Sequence, residues 1–220
     1  MKRLIIAIDG PSGAGKGTIA RTLSESLGYR HIDTGAMYRA VAWEVRRQNI
    51  APDDEHAVAE LALRSDIVVE GGVVSINGHD VTRDIRTPEI DKAAAAVARL
   101  PHVRAVLVAR QHTLGESGGI VMEGRDIGTV VFPNADVKIY LDASAEERAR
   151  RRAADPAHSG GQAGQAAVAE AIQARDRSDT TRTASPLTIA PDAVHIDTTT
   201  LSIQEVVDKV RGLVKAYLSS

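Results

Sequence analysis

Residues 3–9 read RLIIAID, residues 10–16 read GPSGAGK, and from residue 16 onward Ile19, Leu23 and Leu27 fall on one helical stripe. An apolar run without alternation is the pattern of a strand buried on both faces, as in the middle of a parallel sheet. A strand that stops at a glycine-rich turn and re-enters as a helix leaves few folds open. The turn must set a helix N-terminus at the carboxyl end of a buried strand, which is where α/β folds collect their ligands. Gly10, Gly15 and Lys16 stand in the register G-x-x-x-x-G-K, in which backbone N–H groups, the helix dipole and the lysine ammonium converge on phosphate. A phosphate-binding loop is therefore predicted over Gly10, Pro11, Ser12, Gly13, Ala14, Gly15, Lys16, Gly17 and Thr18. A plain strand-to-helix turn with incidental glycines does not require that register.

The residue after the lysine is Gly17, where this motif usually carries a Ser or Thr that reaches Mg²⁺. Without that hydroxyl the ion, which dehydrates reluctantly, keeps more of its waters and relies on nucleotide oxygens. Thr18 is left to touch an inner phosphate. No protein side chain is expected to ligate the metal directly. Switch GTPases and motor ATPases use the direct ligand, and the N-K-x-D guanine motif of the former is missing, so a small-molecule kinase is expected.

The remaining pattern alternates strands and helices, pointing to an α/β fold of the P-loop NTPase kind, a doubly wound parallel sheet flanked by helices. Strands are expected at 29–32, 119–123, 137–141 and 193–196, and helices at 36–47, 88–98, 101–114, from 144, 166–177 and 203–218. Ser144 with Glu147 reads as a capping box. The stretch IVVEGGVVSINGHDV, with Gly71-Gly72 and Asn77-Gly78, reads as a small antiparallel insertion. Residues 154–164, rich in Pro, Gly and Ser, read as a mobile loop. One domain is expected, with a core of 1–62, 115–150 and 184–220, an insertion at about 63–114 and a lid at about 150–183.

Bulk composition removes other classes. The 27 basic and 29 acidic side chains of this 220-residue chain create no global field for nucleic acid or anionic membrane, and 3% aromatics offers no stacking platform. Cysteine is absent, which excludes disulfides and thiolate chemistry. No apolar stretch approaches the length of a membrane helix, so a cytoplasmic monomer is expected. The seven histidines show no i,i+4 pair and read as surface or core residues; Tyr38 and Trp43 read as helix packing.

Transfer between phosphates needs cations distributed around the reaction centre, and the arginines sit in separated islands: DTGAMYR (33–39), PHVRAV around Arg104, GRD (124–126), the run 148–152, and RDRSDTTR (175–182). Together with DGPSGAGKGT, EGRDIGT followed by VVFP, and the SPL after RDRSDTTR, these blocks resemble the bacterial cytidylate kinase family across residues 9–187. The resemblance implies transfer of the γ-phosphate of ATP to CMP or dCMP, with Mg²⁺. It implies that Arg39, Arg125 and Arg182 grip the acceptor phosphate, that Arg175 and Asp179 sit at sugar and phosphate, and that Arg104 and Asp126 meet the base. Thr34, in the first of these blocks, joins the acceptor-binding residues. Base chemistry supports the last pairing, because a carboxylate accepts from the N4 amino group of cytosine whereas uracil presents an acceptor there.

The family's serine near the base is Ala95 here, which keeps a uridylate or thymidylate acceptor in play. Arg151 and Arg152 are candidates to reach the ATP phosphates when the lid closes. A solvated helix face paired with Glu146 and Glu147 is the other reading of that run, and helix pairing is the other reading of Arg175, Asp179 and Arg182. No general base is required, since the acceptor phosphate is already an anion. Lys16, Arg125 and Arg182 are the expected catalytic residues. From a different class, an ATP-binding module without turnover would carry the same loop.

Overall fold

A computed structural model describes residues 3–155 and 165–219; the loop expected at 154–164 lies outside the described residues beyond Asp155. Strand β1 (Ile5–Asp9) pairs in parallel with β6 (Ile120–Gly124) and β7 (Val137–Asp142), and β2 (Arg30–Asp33) and β8 (Val194–Asp197) extend the sheet to the order β2-β6-β1-β7-β8. Being central explains the unbroken apolar run: Ile6, Ala7 and Ile8 are wholly buried. The register sets Asp9 level with Gly124 and Asp33 level with Glu123, so the carboxyl ends of three strands finish together. Neighbours of β1 are reached by crossovers in opposite directions, which makes its end the switch point of the sheet.

Helix α1 (Lys16–Leu27) and the last helix α8 (Ile203–Ser219) cover one face, burying Leu23, Val210 and Val214 against Leu4, Ile8 and Leu141. Helices α2 (Thr34–Arg47), α3 (Glu55–Arg64), α4 (Pro88–Val97) and α5 (Pro101–Gly115) form a second core with a small antiparallel sheet of β3 (Ile67–Glu70), β4 (Val73–Ile76) and β5 (His79–Asp80). Both its turns have the expected chemistry, with Asn77 at φ 51° and Gly78 at φ 79°. Among the described residues no helix is long and apolar enough to cross a membrane.

Four features differ from the sequence pattern. Residues 48–65, to which the pattern assigns no element, contain α3; Asp54 caps it by accepting from Ala57 N (3.1 Å), and Val58, Leu61 and Ala62 form its buried stripe. Residues Ile127–Val131 form a short π-helical turn, because both Asp9 carboxylate oxygens draw in the N–H groups of Ile127 (2.8 Å) and Gly128 (2.7 Å). The capping box at α6 (Ala145–Ala153) is half formed: Ser144 Oγ accepts from Glu147 N, but the Glu147 carboxylate turns to Arg150 and Arg151. Helix α7 (Gln165–Thr181) runs four residues past its expected end at 177, so Asp179 is helical and Arg182 follows immediately.

Gly10 leaves β1 at φ 148°, and a Cβ there would collide with the carbonyl oxygen of Leu141 on β7. That backbone alone costs a non-glycine residue about 1–3 kcal/mol. Gly10→Ala is therefore expected to lower the thermal midpoint and weaken ATP binding together; an unchanged midpoint would contradict this geometry.

Candidate active site

The loop between β1 and α1 closes on itself. Lys16 Nζ donates to Pro11 O (2.7 Å), and Gly13 (φ 80°) and Gly15 (φ 87°) turn the backbone so that α1 opens directly into a cavity. That cavity, about 630 Å³, is lined by Ser12 to Ile19 of the loop and by Arg39, Arg86, Arg125, Arg150, Arg151, Arg152 and Arg175. Eight cationic side chains there face four carboxylates, Asp33, Glu123, Glu147 and Asp155. Burial, then the charge of Arg125, lowers the Lys16 pKa to about 7. Burial raises Asp9 to about 6, against the backbone N–H groups of Gly128 and Ile127. Burial and neighbouring cations also lower Arg175. Such a cluster of mutually repelling, desolvated cations is relieved by a polyanion.

Three donors point to the same conclusion. Arg39 Nε, Arg175 Nε and Arg182 Nη2 are buried and make no hydrogen bond among the described residues. Orphaned guanidinium donors are costly unless a ligand satisfies them.

The expected arginines are paired with carboxylates at present. Arg39 Nη2 bonds Asp33 Oδ2 (2.9 Å), which Arg86 also approaches (3.4 Å). Burial works against ionising Asp33, yet Arg39 and Arg86 hold its carboxyl well below the usual range. Arg125 Nε bonds Asp179 Oδ2 (2.9 Å), not the adjacent Asp126. Arg175 Nη1 bonds Asp91 Oδ1 (3.0 Å) and Arg152 bonds the other oxygen of the same carboxylate. Arg151 bonds Glu147 Oε1 (2.7 Å) and Thr198 (2.8 Å to Oγ1), while its Nη1 lies beside Gly15. Within the 148–152 run Arg150 and Arg151 pair with Glu147, as on a solvated helix face, whereas Arg152 reaches across to Asp91 on α4.

Arg104, Asp126, Asp179 and Arg182 do not line the cavity; they are buried beside it, each about 5% exposed. Arg104 Nη2 bonds Asp126 Oδ2, and Arg182 Nη2 lies 3.5 Å from Asp126 Oδ1. Burial nevertheless raises the Asp126 pKa, with Arg104 and Arg182 opposing it. Tyr38 is more than packing: its ring sits under Arg104 (5.6 Å), its hydroxyl is buried without a hydrogen-bond partner among the described residues, and burial pushes its pKa up to about 12. Thr34 Oγ1 donates to Glu123 O (2.7 Å), so it tethers α2 to the end of β6.

The pattern reading missed Glu123. A Cβ on Gly17 would lie 3.2 Å from Glu123 Oε1, so this carboxylate fills the space a loop hydroxyl would take. His31 Nε2 meets Glu123 Oε1 at 2.9 Å; burial lowers the His31 pKa, but Glu123 outweighs it and the net direction is up. The available signal was position, the last side chain of a buried strand at the switch point. Among the described residues no group of three or more His, Asp or Glu could hold a metal ion.

The Lys16 shift has a measurable sign. A lysine near 7 is mostly neutral at pH 8, and phosphate beside it raises its pKa again, so binding draws in a proton. Calorimetry of ATP binding at pH 8 in buffers of different ionisation enthalpy should show uptake of about one proton, falling towards zero below pH 6. Lys16→Met should abolish the uptake; equal heats in all buffers at pH 8 would contradict the assignment.

Residues 6–216 match the family described as cytidylate kinase. A cytidylate kinase of Solibacter usitatus is 47% identical over 226 aligned residues, covering 100% of this chain and 95% of the relative. One of Bacillus subtilis is 49% identical over 213 residues, covering 95% of each. Among solved structures, a gluconokinase from Sinorhizobium meliloti shares the fold at a TM-score of 0.53 and 13% identity, over 100% of this chain and 98% of that one.

Proposed function

The chain belongs to the cytidylate kinase family, and on that premise we propose how its residues transfer the γ-phosphoryl group of ATP to CMP or dCMP. The observation that carries the assignment is the buried Arg104–Asp126 pair beside a phosphate-binding cavity at the switch point. Cytosine inserts between these two groups: Asp126 accepts from its N4 amino group and Arg104 donates to its ring-side acceptors. The acceptor phosphate takes over Arg39, Arg125 and Arg182 from Asp33, Asp179 and Asp126, and satisfies the orphaned Arg39 Nε and Arg182 Nη2. Arg175 and Asp179 hold the sugar and phosphate.

The loop N–H groups from Ser12 to Thr18 and the Lys16 ammonium cradle the ATP phosphates. Arg151 and Arg152 exchange Glu147 and Asp91 for phosphate oxygens. When bound, Mg²⁺ would supply charge neutralisation at the phosphates, and Glu123 beside Gly17 would hold it through water. No residue removes a proton, because the attacking oxygen is already anionic. Positioning two polyanions in line and neutralising the transferred group carries the rate.

ADP release with CMP, dCMP, UMP, AMP and shikimate as acceptors tests this reading. Turnover is expected to be fastest with CMP and dCMP, and no turnover with either overturns it.

A further inference from the structure

Ser185 opens the SPL that follows RDRSDTTR, and nothing above gives it a role. Its backbone is left-handed, φ 52°, a conformation that serine rarely adopts and that surrounding contacts must hold. Two such contacts are present. Arg104 Nε donates to Ser185 Oγ (3.3 Å), and Arg182 Nε donates to Ser185 O (2.6 Å). Leu187 N donates to Asp179 O (2.9 Å), closing the segment back onto the end of α7.

A guanidinium is planar, so fixing its Nε and one Nη fixes the direction of all five donors. Here one residue holds the Nε of both arginines, and their Nη groups converge on the two oxygens of Asp126. We propose that Ser185 is a positioning residue that sets the guanidinium planes of Arg104 and Arg182 together, coupling discrimination of the base to the grip on the acceptor phosphate. The left-handed backbone is what offers hydroxyl and carbonyl to the two arginines at once. This rests on the reading of Arg104 and Asp126 as the groups that meet the base.

The test compares kcat/KM for CMP and UMP in the full chain and in Ser185→Ala, Ser185→Gly and Asp126→Asn, with thermal midpoints recorded for each. Both Ser185 variants lose the hydroxyl, while glycine accepts φ 52° freely and keeps the carbonyl on Arg182. Both are expected to lower the CMP-to-UMP ratio by about 3–10-fold, the loss of one hydrogen bond. A residue that only supports the fold would lower the midpoint and leave the ratio alone. An unchanged ratio in both Ser185 variants, with a changed one in Asp126→Asn, overturns the inference. A ratio restored in Ser185→Gly does so too, since backbone strain would then be the cause. An unchanged ratio in Asp126→Asn overturns the base-reading assignment and this inference with it, whereas absence of CMP turnover in the unsubstituted chain overturns the proposed function.

Discussion

Lys16→Met should lose phosphoryl transfer almost completely, by at least ~10²–10³-fold in kcat, the usual cost of removing one preorganised charge from a developing transition state. The chain should remain folded. Lys16 is buried, its Nζ hydrogen-bonds only the Pro11 carbonyl (2.7 Å) among the described residues, and methionine reproduces its apolar stem. Stability should in fact rise. The folded-state pKa of about 7 lies below the ordinary lysine value of 10.5, so between those values the unfolded chain binds more protons and stability increases with pH. Below pH 7 the folded chain carries the full penalty of a buried ammonium, and methionine removes it. Single-turnover kinetics with thermal unfolding at pH 7 checks both halves; retained turnover would overturn the role of Lys16, and an ATP-binding module without turnover would show no rate to lose.

Asp126→Asn should move acceptor preference from CMP towards UMP, raising the UMP-to-CMP ratio of kcat/KM by about 5–150-fold, the equivalent of one mismatched buried polar contact. The carboxylate can only accept, which suits the cytosine amino group; the amide offers a donor to the uracil O4. The substitution also strips the counter-charge from buried Arg104 and one of two from Arg182, and leaving a buried cation unpaired costs about 3–5 kcal/mol. Less folded enzyme is therefore expected. The ratio survives this loss because both acceptors meet the same active fraction. An unchanged ratio, whatever the midpoint, would remove Asp126 from base recognition.

Much of this molecule was legible before any coordinates. The strand ending at Asp9, the loop register through Lys16, the glycine turns of the small sheet and the proline-opened helices are all local, each set by a few neighbouring residues. Helix α3 was missed, although Asp54 and the apolar stripe after it carry a local signal for it. The arginine islands could be listed from motif, and the match over residues 6–216 agrees with the family those motifs resemble.

What the sequence alone determined was the chemistry available: a glycine-rich loop without a hydroxyl after its lysine, separated arginines, and a carboxylate beside an arginine in GRD. The tertiary structure decided which groups meet. Arg125 pairs with Asp179 across 54 residues rather than with its neighbour Asp126, Arg152 and Arg175 share Asp91 on another helix, and Glu123 fills the space at Gly17. Asp9 shapes a π-helical turn 118 residues away. Such pairings depend on strand register and on where the helices pack, and sequence spacing does not single out the partners. Charge type is written residue by residue, but the partner of a buried charge is chosen by the fold that excludes water around it.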